Sequence, residues 1–176
     1  MHLIQTPRLR IRRFHPGDAP FILKLVNDPD FLRYIGDRKV RNLEDAHAYL
    51  ETGPIAMYRD HGFGLYMVET HSGEPIGTCG LMQRQRLAHA DIGFAFLPEF
   101  RHRGLAEESA RAVLNYALEE LGQPNLFAIV QADNLRSIRL LRKIGFKAEG
   151  WFRLPDSDEP LSLMALHREA SQDLDR

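Results

Sequence analysis

Residues 96–122 read FLPEFRHRGLAEESARAVLNYALEELG, and how this stretch is parsed decides the fold. An apolar strand runs into Pro98, then Arg101, His102, Arg103 and Gly104 follow, and only after them does a helical pattern begin. In that pattern Ala110, Val113, Leu114, Ala117, Leu118 and Leu121 recur at i, i+3, i+4 and i+7, which predicts an amphipathic helix packed on a sheet. The run LFAIVQA, starting at Leu126, reads as the next strand. A strand, a helix and a further strand in this order permit one parallel pair.

The turn between strand and helix is suited to an anion. The first turn of a helix carries N–H groups without intrahelical partners and the positive end of the helix dipole. Gly104 has no Cβ to keep a ligand off the backbone, and three cationic or potentially cationic side chains precede it. A phosphate or pyrophosphate is the expected guest, although an ordinary strand–turn–helix junction with exposed arginines fits the same residues. Two well-known phosphate loops are excluded, because the chain has neither G-x-x-x-x-G-K-S/T nor G-x-G-x-x-G.

Working outward, alternation at Leu9, Ile11 and Arg13 predicts a short strand closed by Phe14. A helix follows with Asp18 as cap and Phe21, Ile22, Leu25 and Val26 on one face. NDPDFLRYIGDRKV (27–40) reads as a broken, turn-rich connection. A second helix starts at Asn42 with Leu43, Ala46, Tyr49 and Leu50 at helical spacing, and Gly53-Pro54 interrupts it. GFGLYMVET and EPIGTCGLM are strands joined by the turn HSGE, and ADIGFAFL is the strand before Pro98. A short helix, NLRSIRLLRKI, ends at Gly145 in a left-handed conformation. FKAEGWF and LSLMALH form a final strand pair. Three consecutive strands without crossovers must pair antiparallel. The fold class expected is therefore a mixed α/β domain spanning 1–176, with a mostly antiparallel sheet, one parallel pair and flanking helices.

Composition narrows the partners. A formal net charge of -1 argues against nucleic acid, because phosphate binding at that scale needs a cationic excess. No apolar run approaches the roughly 18 residues of a membrane span or forms a signal peptide, so no membrane partner and a cytoplasmic location are expected. The single cysteine, Cys79, excludes an internal disulfide and reads as a buried, inert thiol. The eight histidines show no paired spacing suited to a ligand set, so no metal is expected.

A second segment, QADNLRSIRLLRKIGFKAEG (131–150), gives the loop its meaning. Arg101-x-x-Gly104-x-Ala106 with Asn134-x-x-Ser137 and the terminal Gly145-Phe146 resembles the GNAT superfamily of acyl-CoA-dependent N-acetyltransferases. The first part is similar to its Q/R-x-x-G-x-G/A pyrophosphate loop, the second to its N-x-x-S helix. TPRLRIRRF near the start and PIGTCGL before the central strand are similar to the branch named for RimJ and RimL, which acetylates protein N-termini. The resemblance runs from about Thr6 to Leu166.

What the resemblance implies can be placed on residues. Acetyl-CoA would be the cosubstrate, its pyrophosphate held by the amides of Arg103, Gly104, Leu105 and Ala106, with Arg101 and His102 lining the turn. Pantetheine would lie where the strand ending in Phe96 and Leu97 splays from its parallel neighbour, pairing with the backbone of Phe96. Asn134 would bond the cofactor arm, or serve only as a helix cap. Ser137 would protonate the departing thiolate, or be a solvated helix residue. Relatives with a tyrosine acid place it where this chain has Leu140 and Leu141.

The acceptor is an amine, either a peptide N-terminus or a small molecule, and the enzyme would act as a monomer or homodimer. A non-catalytic acyl-CoA-binding module is the alternative of another class. An α-amine with a pKa of about 7.7–8.0 is partly neutral near pH 7, so it needs a base less than a lysine does. Asp91 leads as base, directly or through water, and His89 is second, sharing a face with Asp91 if the strand is regular. The Glu that some members carry on the following strand is replaced here by Ile129 and Val130. Asp37, Arg38 and Arg41 read as a solvated charge run or as acceptor contacts, and Phe63, Tyr66 and Trp151 as core or cleft wall.

Overall fold

The computed structural model describes residues 3–168, and the extreme ends of the expected 1–176 domain lie outside them. Among these residues eight strands form one sheet in the order β1-β2-β3-β4-β5-β6-β8-β7. β1 (Ile4–Gln5), β2 (Leu9–Arg13), β3 (Leu65–Thr70), β4 (Pro75–Met82) and β5 (Asp91–Phe96) are successive antiparallel neighbours. β6 (Asn125–Val130) joins β5 in parallel. β8 (Leu161–His167) returns antiparallel to β6, with β7 (Lys147–Phe152) on the edge. The sheet is mixed and mostly antiparallel, as the strand pattern predicts, and its parallel pair brackets the stretch 96–122.

That stretch becomes a 3₁₀ turn (Pro98–Phe100), a loop, and α5 (Leu105–Glu119). Ala110, Val113 and Ala117 of α5 are fully buried and Leu114 nearly so. They pack with Ile76, Cys79, Ile92, Phe96 and Leu126 into one core on that side of the sheet. On the other side Phe14, Ile22, Leu25 and Val26, with α1 (Ala19–Leu25) and α3 (Leu43–Leu50), cover Met67 and Leu97. Each large apolar side chain so buried contributes about 1.5–3 kcal/mol before conformational entropy is counted.

Local signals behave as their chemistry dictates at several joints. Asn42 caps α3, its Oδ1 accepting from the Asp45 N–H at 2.8 Å. The β3–β4 hairpin closes with the Thr70 N–H donating to Glu74 O at 2.9 Å. Gly145 follows α6 (Leu135–Lys143) with φ of 110°, a conformation that favours glycine.

Elsewhere the structure departs from the expectation. Residues 27–40 are not all turn, because α2 (Pro29–Tyr34) forms there, capped by Asp28, which accepts from the Phe31 N–H at 3.3 Å. Six residues are too few for a helical period to show, and Pro29, which reads as a breaker, fits the first helical position because its missing N–H is not needed there. Gly53-Pro54 does not end the second helix. The chain passes through a π turn (Glu51–Ile55) into α4 (Ala56–His61), the wider turn accommodating the residue that cannot donate. Asp18 does not cap α1 with its side chain. Both Asp18 oxygens accept from Arg12, each at 2.9 Å, and Oδ2 also accepts from the His15 N–H, so charge pairing takes the carboxylate. Trp151, expected in the core or cleft wall, is 66% exposed on edge strand β7, whereas Phe63 and Tyr66 are buried.

Candidate functional site

β5 and β6 share a single register pair, Asp91 with Phe127, held by the Phe127 N–H donating to Ala90 O at 2.9 Å. Beyond it the strands part. Backbone groups alternate sides along a strand: Ala90 O faces β6, while the Leu97 N–H faces β4 and donates to Ile76 O at 3.0 Å. Phe94 and Phe96 therefore turn their N–H and C=O toward the gap. Asp91 stands at the vertex of a V, and Phe96 stands at its open end, about 17 Å away along an extended strand.

The loop 101–104 lies at that open end. His102 and Gly104 both have left-handed backbones, with φ of 62° and 74°. Gly104 is the N-cap of α5 and offers no side chain to its N–H groups. Among the described residues nothing accepts a hydrogen bond from the N–H of Gly104, Leu105 or Ala106. Consecutive free amides at the start of a 15-residue helix form a concave donor site for an anion.

The loop is braced from the N-terminal strands. Arg8 donates from Nη1 to Arg103 O at 2.8 Å and from Nε to Glu108 at 2.6 Å, and the Thr6 hydroxyl donates to the same carboxylate at 2.6 Å. The cations of the loop are largely engaged elsewhere. Arg103 lies over the Phe100 ring, 5.6 Å from its centroid. Arg101 donates from Nη2 to Asp28 at 2.6 Å, from Nη1 to Asp30 at 2.8 Å, and from Nε to Phe96 O at 3.1 Å. The donors this turn leaves free are thus mainly those of its backbone.

The short helix α2 crosses the V. Its N-terminal end is held by Arg101, and at its other end Gln131 donates to Arg33 O at 3.1 Å while Arg33 faces Asp133 at 3.6 Å. One groove runs beneath it, lined by Asp91, Phe94, Phe96, Gly104, Asn134 and Ser137. Leu97 is buried in the α1–α3 core and does not line it.

On the β6 side Asn134 caps α6, its Oδ1 accepting from the Ser137 N–H at 3.4 Å, which leaves the side-chain amide free to donate. Among the described residues the Ser137 hydroxyl makes no hydrogen bond, and it opens on the groove. At the vertex Asp91 is 2% exposed, and one oxygen accepts from Arg84 Nε at 3.1 Å. Burial outweighs this cation and pushes the Asp91 carboxyl up to about 6. His89 precedes the strand and packs against Phe127 with the rings tilted and their centroids 5.2 Å apart, instead of joining Asp91.

Of the charged segment, Asp37 and Arg41 pair with each other at 2.5 Å, and Asp37 and Arg38 line the groove. Tyr34, Tyr49 and Arg84 line it as well and were not anticipated. The period of α3 places Tyr49 on the buried face, but it carries no information on which neighbour its phenol meets. Cys79 is fully buried, and desolvation pushes its thiol up to about 12. Among the described residues no group of three His, Cys, Asp or Glu is placed to hold a metal, and no helix is long and apolar enough to cross a membrane.

The chain is similar in sequence and in fold to known proteins. Residues 8–147 match the family model of the acetyltransferase (GNAT) domain. The chain is 31% identical over 154 residues to the uncharacterized N-acetyltransferase YoaA of Bacillus subtilis, covering 86% of each chain. It is 25% identical over 145 residues to spermidine N(1)-acetyltransferase of Escherichia coli, covering 81% of this chain and 74% of the relative. Among solved structures, RimL, a ribosomal L7/L12 alpha-N-protein acetyltransferase in complex with coenzyme A, superposes with a TM-score of 0.82 at 17% identity. That likeness covers 97% of this chain and 99% of the other, and it is one of fold.

Proposed function

The chain belongs to the GNAT acetyltransferase family and is an N-acetyltransferase of that type, and we propose that it moves the acetyl group of acetyl-CoA to a protein N-terminal α-amine, as the RimJ and RimL branch does. The observation that carries the cosubstrate reading is the V between β5 and β6. Its vertex is closed by the Asp91–Phe127 pair, its edge is lined by the backbone of Phe94 and Phe96, and free amides stand at its mouth. A pyrophosphate fits the amides of Arg103, Gly104, Leu105 and Ala106, beside the exposed His102. An extended amide-bearing arm fits the edge at Phe94 and the N–H of Phe96, whose carbonyl is taken by Arg101, with Asn134 donating from the opposite wall. Arg101 and Leu97 contribute by holding the loop and the strand, since Arg101, though it lines the groove, is committed to Asp28 and Asp30, and Leu97 is buried in the α1–α3 core.

Acetyl-CoA supplies an activated thioester carbonyl. The unpaired N–H groups of the β5 edge are placed to donate to the oxygen of that carbonyl, where charge develops as the amine attacks. Asp91, at the vertex, takes the amine proton through water, and Ser137 gives the proton of its hydroxyl to the departing sulfur; Asp91 then loses its proton to solvent and Ser137 regains one from it. The α-amine is the favoured acceptor because it is partly neutral near pH 7, so one buried carboxylate of raised pKa suffices as base.

The test is thiol release from acetyl-CoA with peptides bearing free N-termini, N-blocked lysine peptides, and small amines. Release with free N-termini supports the reading. Release with spermidine alone moves the acceptor to the small amine of the E. coli relative's name. Acetyl-CoA binding without release in any arm leaves a binding module.

A further inference from the structure

The vertex end of the groove holds more cation than its own chemistry consumes. Arg84 donates from Nε to Asp91, but among the described residues its two terminal amino groups make no hydrogen bond, and the side chain is 24% exposed on the groove. Arg38, from the segment between α2 and α3, pairs with no carboxylate among the described residues and also lines the groove. Tyr49 lines the same groove, its phenol against Arg38 and within the field of Arg84. The acids nearby are already committed: Asp91 to Arg84, Asp37 to Arg41, and Asp28 and Asp30 to Arg101. Glu107 is paired with Arg111 and Lys143, and Asp133 faces Arg33. Two further acids of the lining, Asp156 and Glu159, belong to the connection between β7 and β8. That connection enters β8 beside Val130, three residues and about 10 Å beyond the vertex pair at Phe127.

We propose that Arg38, Arg84 and Tyr49 form an anion subsite for the acceptor, so that the preferred substrate carries a carboxylate near the amine to be acetylated. The inference rests on the reading of the chain as a peptide-amine acetyltransferase and names its substrate class. A guanidinium with one edge on Asp91 and its terminal amino groups free accepts a second carboxylate without breaking the first contact. A phenol adds a neutral donor to the same oxygens. The acidic lip at the open end and the basic floor at the vertex match an acceptor that is cationic at one point and anionic at another. A polyamine, cationic throughout, would meet like charge at Arg38 and Arg84.

The experiment compares kcat/KM for peptides with free N-termini that carry Asp at the first, second or third position with the same peptides carrying Asn or Lys there. Free aspartate and serine, whose carboxylate sits on the α-carbon, form a further arm, and spermidine another. The expected result is a preference of about tenfold or more for one Asp peptide over its Asn partner, with Lys poorer still, as for a charge-assisted contact. Preference for the free amino acids would place the carboxylate on the acceptor's own α-carbon instead of a side chain. Arg38→Ala should bring the Asp-to-Asn ratio toward one, and Arg38→Glu should favour the Lys peptide. Arg86→Ala, an exposed cation on the same β4–β5 connection outside the groove lining, should leave the ratio unchanged. Acetylation of Asn, Lys or spermidine acceptors as fast as of every Asp peptide and free amino acid overturns the subsite alone, as does an Arg38→Ala ratio equal to the parent's. Acetyl-CoA binding without thiol release in any arm overturns the enzymatic reading and the subsite with it.

Discussion

Arg101 and Asp28 are joined by a 2.6 Å ion pair that ties the anion loop at the mouth of the V to the cap of the helix that crosses it. Asp28 is thereby doubly engaged, since the same carboxylate oxygen accepts from the Phe31 N–H at the start of α2. The loop that would hold the cosubstrate and the helix that roofs the groove cannot move independently while this pair stands. Arg101 also donates to Phe96 O, so strand, loop and helix meet at one guanidinium.

Arg101→Ala leaves Asp28, nearly buried, without its counter-charge. The expected loss of stability is on the order of 2 kcal/mol, below the value for a fully buried pair because Arg101 and Asp30 retain solvent access. Arg101→Lys keeps the charge but not the three-way fork, and should fall between. Denaturant midpoints measure the first effect. Initial rates should show a raised KM for acetyl-CoA in both variants, and an unchanged KM would separate the pair from the site.

Gly104→Ala probes the loop backbone. At φ of 74° an alanine is strained by about 1–2 kcal/mol. Its Cβ would stand 3.4 Å from an Arg8 amino group, an ordinary contact, so strain and not collision is the structural cost. The new methyl sits beside the free amides, and the prediction is a modest drop in Tm with a larger rise in the acetyl-CoA dissociation constant measured calorimetrically. Equal affinities for the two proteins would mean that the backbone of this turn does not contact the ligand.

Much of this was legible before the structure. The helical period after Gly104 and the uninterrupted strands before Pro98 define the sheet order around the parallel pair, because burial on one face leaves a period in the sequence. The helix α2 was not legible, since six residues with proline first leave no period, and the roof of the groove was lost with it. The partners of Arg101 and the position of Arg84 were likewise hidden. Asp28 and Arg101 are 73 positions apart, and only tertiary packing brings them together. The cations before Gly104 point to an anion, whereas in the structure Arg101 and Arg103 are engaged by protein groups and the donors left free are the amides behind them.

Ser137→Ala removes a hydroxyl that supports nothing else among the described residues, so stability should change by no more than about 0.5 kcal/mol. If the hydroxyl protonates the leaving sulfur, kcat should fall by about 100-fold or more while acetyl-CoA affinity is largely kept. An unchanged kcat at saturating acceptor takes Ser137 out of the mechanism.

Asp91 links pH to both rate and stability, with opposite signs. Its carboxyl is raised from 3.8 to about 6, chiefly by burial, with Arg84 pulling the other way. A base must be ionised, so kcat/KM should rise with pH through an apparent pKa near 6, and Asp91→Asn should lose both that limb and most of the rate. Stability runs the other way. A folded-state pKa above the unfolded one means the native state holds the proton more tightly, so the contribution is complete below about 3.8 and is lost as pH rises through 6. Asparagine cannot ionise and escapes that loss. The Tm of Asp91→Asn relative to the parent should therefore climb between pH 4 and pH 7, the gain in free energy reaching about 3 kcal/mol at most for a shift of this size. A variant that keeps the pH 6 limb in its rate profile would transfer the role of base to another group, even if its stability followed the expected course.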